Sequence, residues 1–164
     1  RTRDPYLPWF LKFSEFMERQ DQLLEDNKTA LAMRGSDLNA SRHSAKILRR
    51  AVDAARDPVA GSTATVSEDQ YSRLLVRLRE RTQEIRADIE EIDRLGAQSE
   101  QLLNEILAEL TRAEARFGDR HPELKEWRIP VQERLERLPL ELAAVSGPDG
   151  PRLTRGSRPR LNRR

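Results

Sequence analysis

The residues equipped for chemistry are few and scattered. Histidine occurs only at His43 and His121. His43 is flanked by Arg42, Ser44 and Lys46, with no carboxylate one helical turn away at position 39 or 47, and His121 precedes Pro122 in a turn. Acid–base or metal chemistry needs convergent groups that orient the ring, and the two histidines stand apart from each other; both read as surface or capping residues. Carboxylates gather at Asp88, Glu90, Glu91 and Asp93, a composition that suits a hard cation. Their alternation with Arg86 and Arg94, including Glu90 four residues before Arg94, instead describes a solvated helix face laced with ion pairs. No Gly-rich phosphate loop, GxSxG or HExxH occurs. With no Cys there is neither a disulfide framework nor a thiolate metal site. The expectation is a noncatalytic protein with no metal and no cofactor.

Two other groups of residues point to partners. The tail from Ser146 to Arg164 contains Arg152, Arg155, Arg158, Arg160, Arg163 and Arg164 among Gly and Pro, with a single Asp. Guanidinium groups in an extended chain can follow phosphates or an acidic protein surface, although no aromatic side chain in the tail is placed to stack on bases. At the other end, five of the eight aromatic residues fall in the first sixteen positions, with Trp9, Phe10, Phe13 and Phe16 within two helical turns. Clustered aromatics serve either as core between helices or as an anchor for another subunit. The polar face there mixes Lys12 with Glu15 and Glu18, not the basic strip of a membrane-surface helix.

The elements that position these groups are helices. From Tyr71 to Phe117 apolar and small residues recur in alternating steps of three and four: Tyr71, Leu75, Leu78, Thr82, Ile85, Ile89, Ile92, Gly96, Ser99, Leu103, Ile106, Leu110, Ala113 and Phe117. A 3.5-residue repeat keeps one stripe facing a partner helix, and this length makes a helix of roughly 70 Å. Ser67 with Gln70 forms a capping box at its start, and Gly118 is the expected C′ glycine at its end. Gly96 and Ser99 weaken two consecutive seam positions, where a kink or change of partner is expected. Residues 1–57 read as a helical pair: a first helix from near Pro8 to Met33 or Arg34, with stripe Phe10, Phe13, Met17, Gln20, Leu24, Asn27, Leu31, and a second opened by Ser36 or Asp37 and stopped by Asp57-Pro58. Gln20 and Asn27 in that seam either set register against a partner or lie at a solvated edge. Residues 58–66 form a loop long enough for a hairpin, 67–118 the long helix, 119–145 a shorter helix interrupted at Pro130 and Pro139, and 146–164 a disordered basic tail.

The predicted fold is all-α: an elongated helical bundle or coiled coil with one long central helix, flanking shorter helices and a basic tail. A content of 35% charged and 37% hydrophobic residues fits that class. The net charge of +2 divides into +5 on the tail and −3 on the rest, so any polyanion site is local. No apolar run reaches the ~20 residues of a membrane span, and no signal peptide is visible. An intracellular setting, cytoplasmic or nuclear, is expected. A chain beginning with Arg1 is consistent with a fragment.

Heptads single out no family. They imply a scaffold or complex subunit that positions partners through Leu75, Leu78, Ile85, Ile89, Ile92, Leu103, Ile106 and Leu110; the alternatives are a nucleic-acid-associated factor working through its Arg tail, or an accessory subunit of an enzyme. A parallel in-register homodimer would oppose Arg81 to Arg86, Asp88 to Asp93 and Glu109 to Glu114, so other helical subunits or antiparallel self-association are the expected partners.

Overall fold

A computed structural model describes residues 4–56 and 66–147; the tail arginines and most of the expected loop lie outside the described residues. The described residues form three α-helices and no strand: α1 (Tyr6–Arg56), α2 (Glu68–Phe117) and α3 (Glu123–Ser146).

The expected N-terminal pair is one helix of 51 residues. Asp4 Oδ1 accepts the Tyr6 N–H at 3.0 Å, and Pro8 occupies the first turn, where its missing N–H costs nothing. The helix runs through Gly35, Ser36 and Asp37 because the two stripes are in phase: Leu31 and Leu38 are one heptad apart and both buried. Gly35 does not end the helix. A Cβ there would meet Val145 Cγ1 of α3 at 3.0 Å, so the glycine is a notch that admits a neighbour. The long helix α2, with 50 residues, is therefore not uniquely long.

The expected start of α2 is found. Ser67 Oγ accepts the Gln70 N–H at 3.2 Å, and the Gln70 side chain accepts the Ser67 N–H at 3.0 Å. Its end is also at Phe117, but Gly118 keeps a right-handed φ of −58°. Glycine is required there because a Cβ would collide with the Glu114 carbonyl oxygen, not because the backbone turns left-handed. Gly96 and Ser99 produce no break in α2. The expected Glu90–Arg94 pair is replaced by Glu91–Arg94, three residues apart.

The α1 and α2 helices pack antiparallel. Asn27 bonds Ser99, Arg34 bonds Asp88 and Arg56 bonds Tyr71, so position rises on one helix as it falls on the other. The five-residue turn to α3 is tied by the Arg120 and His121 amides to the Phe117 carbonyl, which returns α3 antiparallel to α2 and parallel to α1. Pro130 and Pro139 lie inside α3 without ending it. Each proline removes one backbone bond, at a cost of about 3 kcal/mol, and burial of Leu124, Val131, Leu138 and Leu142 on α2 holds the helix across both sites. Gly147, at φ 79°, ends α3 by donating its N–H to the Ala143 carbonyl.

Two apolar clusters result. One joins Phe13 and Leu24 to Leu103, Ile106, Leu110, Phe117, Leu124 and Val131. The other joins Leu31 and Leu38 to Ile92, Leu95, Leu138 and Leu142. Each such leucine or isoleucine contributes about 1.5–3 kcal/mol on burial.

Candidate interaction surface

The turn between α2 and α3 assembles one polar group that sequence spacing did not reveal. The His121 ring stacks on Tyr6 with centroids 3.5 Å apart and planes within 8°. Glu123 Oε2 lies 3.3 Å from His121 Nδ1 and accepts the Tyr6 hydroxyl at 3.3 Å. The Glu123 backbone N–H, at the start of α3, holds its carboxylate below the ordinary range, with help from His121 and Tyr6. Burial, then Glu123, pushes the Tyr6 phenol up. An ionised carboxylate that accepts from a protonated phenol suits a clasp closing the N-terminus of α1 onto the turn.

His43 is exposed, and 37 residues of α1 separate it from Tyr6, or about 55 Å along the helix. The two histidines therefore share no site. Asp88, from the carboxylate cluster, is buried and bound by Arg34 at 3.1 Å. Among the described residues no group of three or more His, Asp or Glu is arranged to hold a metal ion, and no helix is long and apolar enough to cross a membrane.

The N-terminal aromatic residues come together and meet rings from both other helices. Trp9 stacks on Phe13 at 4.8 Å and approaches Phe117 at 5.9 Å; Phe10 and Phe13 face Trp127 at 5.8 and 6.4 Å; Phe13 contacts Phe16 at 6.0 Å. Trp9 Nε1 donates to Glu109 Oε2 at 3.0 Å, holding that carboxylate below its usual range. Phe13 is buried, whereas Trp9, Phe10 and Phe16 are half-buried. Next to this cluster an apolar groove runs between α1 and α3, lined by Phe10, Met17, Trp127, Pro130 and Val131.

The seam residues divide by what covers them. Ile92, Leu103, Ile106 and Leu110 are buried under α1 and α3. Leu75, Leu78, Ile85 and Ile89 are only half-buried, and Thr82 is exposed. The difference follows α3, which ends at Ser146 beside Arg42, whose guanidinium donates to the Ser146 carbonyl. Gln20 and Asn27 are both buried in the seam. Gln20 Nε2 donates to the Leu102 carbonyl and to Glu105, each at 3.1 Å, and Asn27 Nδ2 donates to Ser99 Oγ at 3.2 Å. A slip of one heptad would set Asn27 against Ile92 or Ile106 and orphan a buried amide, at about 1–3 kcal/mol.

Charge divides along the same line. Residues 42–56 and 68–86 carry ten cationic and five anionic side chains, a net +5, whereas residues 4–41 and 87–147 carry twelve and twenty-one, a net −9. Compared with protein families, curated proteins and solved structures, the chain matches none.

Proposed function

We propose that this chain is a noncatalytic interaction subunit, an elongated antiparallel coiled coil braced by a third helix, that positions helical protein partners in an assembly. The observation that carries the reading is the unequal cover of α2: buried under two helices from Ile92 to Phe117, and half-buried under α1 alone at Leu75, Leu78 and Ile85. A third helix that stops partway leaves packing surface that a partner's helix can complete. The aromatic groove beside Phe10 and Trp127 offers a second contact surface. A reducing intracellular setting accommodates a chain without Cys. The testing experiment is affinity purification of the full chain from its native source with cross-linking and mass spectrometry. Cross-links from α1 or α2 to helical segments of other proteins are expected; retention of no protein contradicts the reading.

A second reading, nucleic-acid association through Arg152, Arg155, Arg158, Arg160, Arg163 and Arg164, draws support from the net +5 of that tail. Salt-sensitive binding to a duplex or to RNA that disappears when residues 148–164 are removed would establish it.

A further inference from the structure

We propose that the flank of α1 and α2 beyond the end of α3 is the docking site for an acidic amphipathic helix of a partner protein, seated where α3 would have continued. This rests on the reading that the chain works by helix packing, and it specifies the place and the chemistry.

The first support is continuity with an existing helix seat. Number the heptads so that Leu31, Leu38 and Ala45 are a positions in α1, and Leu75, Ile89 and Leu103 are a positions in α2. Gly35 against Val145, Arg42 against Ser146 and Glu114 against Arg128 then place α3 along the e flank of both helices. The opposite flank is occupied differently: Arg81 donates to Ser44 at 3.0 Å, both at g positions. Past Arg42, α1 continues for fourteen residues, or about 21 Å, with no third helix among the described residues.

The second support is the chemistry of that vacated flank. A cleft there is lined by Ala45 and Ile85 together with Arg42, Lys46, Arg49 and Arg50. Arg42, Lys46, Arg49 and Arg56 follow steps of four, three and seven along one face, and Asp53, which also lines the cleft, is the one anion on that stripe. Lys46, Arg49 and Arg50 make no ion pair or hydrogen bond among the described residues. By register Arg79 and Arg86 of α2 stand on the same flank. An apolar floor between cationic walls is the complement of a helix with an apolar stripe edged by Glu or Asp.

The same charges select against other occupants. The chain's own tail carries six Arg and one Asp, the same sign as the walls. A long polyanion would run on from this flank toward residues that carry a net −9, whereas a helix of three or four turns ends within the basic flank. Nucleic acid also gains little from the aliphatic floor of Ala45 and Ile85; the ring the cleft offers a base is the small imidazole of His43.

The test uses the full chain and a labelled synthetic peptide of two heptads, about 21 Å as a helix, with Leu at a and d and Glu at e and g, beside a control in which Lys replaces Glu. The Glu peptide should bind, the Lys peptide should not, and the triple variant Lys46→Glu, Arg49→Glu, Arg50→Glu should weaken the Glu peptide by about tenfold or more. Helicity by circular dichroism should be unchanged in the variant, and removal of residues 148–164 should leave peptide binding intact. Equal binding of both peptides, or no effect of charge reversal, overturns the proposal. So does a DNA duplex that displaces the Glu peptide and is itself lost on charge reversal, since the flank is then a nucleic-acid site. Self-association in sedimentation that the triple variant abolishes makes a second copy the occupant and likewise overturns it. If the triple variant still retains the native protein partners, this docking site falls while the interaction-subunit reading stands; if the unaltered chain retains none, that broader reading fails, and the peptide result still decides the flank.

Discussion

Leu142 of α3 sits directly against the backbone of Gly96 in α2: a Cβ on the glycine would lie 2.6 Å from Leu142 Cδ1 and 3.2 Å from Cδ2. The glycine that weakens the seam of α2 is thus the notch into which α3 packs Leu142.

Replacing Gly96 with Ala gains about 1 kcal/mol of helix propensity and costs about 1–3 kcal/mol of overpacking against a buried leucine. The expected outcome is a net loss near 1 kcal/mol in the otherwise native chain. In a Leu142→Ala background the same change should become stabilising. A double-mutant cycle by urea denaturation measures the coupling; equal effects in both backgrounds would show that Leu142 does not occupy the notch.

The aromatic cluster contacts Phe117 and Trp127 of the same chain, so Trp9→Ala and Phe13→Ala should each lower the stability of the isolated chain by about 2–4 kcal/mol. Thermal melts of the purified protein check this. Unchanged stability would place the cluster at an intermolecular surface.

Acid sensitivity has a local origin at Glu109. The Trp9 indole N–H, followed by Arg112, holds its folded value below the ordinary 4.5. A carboxylate with a depressed folded pKa contributes stability that is present above pH about 4.5 and is lost as the pH falls through the depressed value. The thermal midpoint of Glu109→Gln should therefore lie below that of the unaltered chain at pH 7 and converge with it as the pH falls below 4.5 through the depressed value. Parallel curves across that window would assign the acid sensitivity elsewhere.

The buried rungs set register. Asn27→Leu leaves Ser99 Oγ without its donor but adds apolar surface, so stability should change by no more than about 1 kcal/mol while the penalty for a heptad slip disappears. Amide exchange along α1 should then fit a mixture of registers. A single protected register in Asn27→Leu would mean that Gln20 and the turn suffice.

Much of the helical pattern was legible in the sequence because each signal was local. The Ser67–Gln70 box and the three-and-four stepping of α2 lie within one helix and found their places. The misreadings occurred where the outcome depended on another element. Gly35 resembles a stop on composition, but the unbroken phase from Leu31 to Leu38 was a local clue to continuity, and Val145 supplies the reason for the glycine. Pro130 and Pro139 weaken α3 by an amount that sequence can state, whereas the packing that offsets it belongs to α2. His121 and Glu123 are neighbours in sequence, but Tyr6, which completes the clasp, lies more than a hundred positions away, and no spacing rule reaches that far. The basic flank was invisible as a site because its cations are spread through α1 and α2 and gain meaning only where α3 stops.

The central claim is that the chain closes its own seam, α1 against α2, and meets partners with what remains. The absence of native Cys permits a direct measurement with Asn27→Cys and Ser99→Cys in one chain, since these positions face each other across the seam, with Asn27 Nδ2 3.2 Å from Ser99 Oγ. Under mild oxidation the account predicts a rapid intramolecular disulfide and a species that stays monomeric in nonreducing electrophoresis. Covalent dimers at low protein concentration, or no cross-link at all, would contradict it.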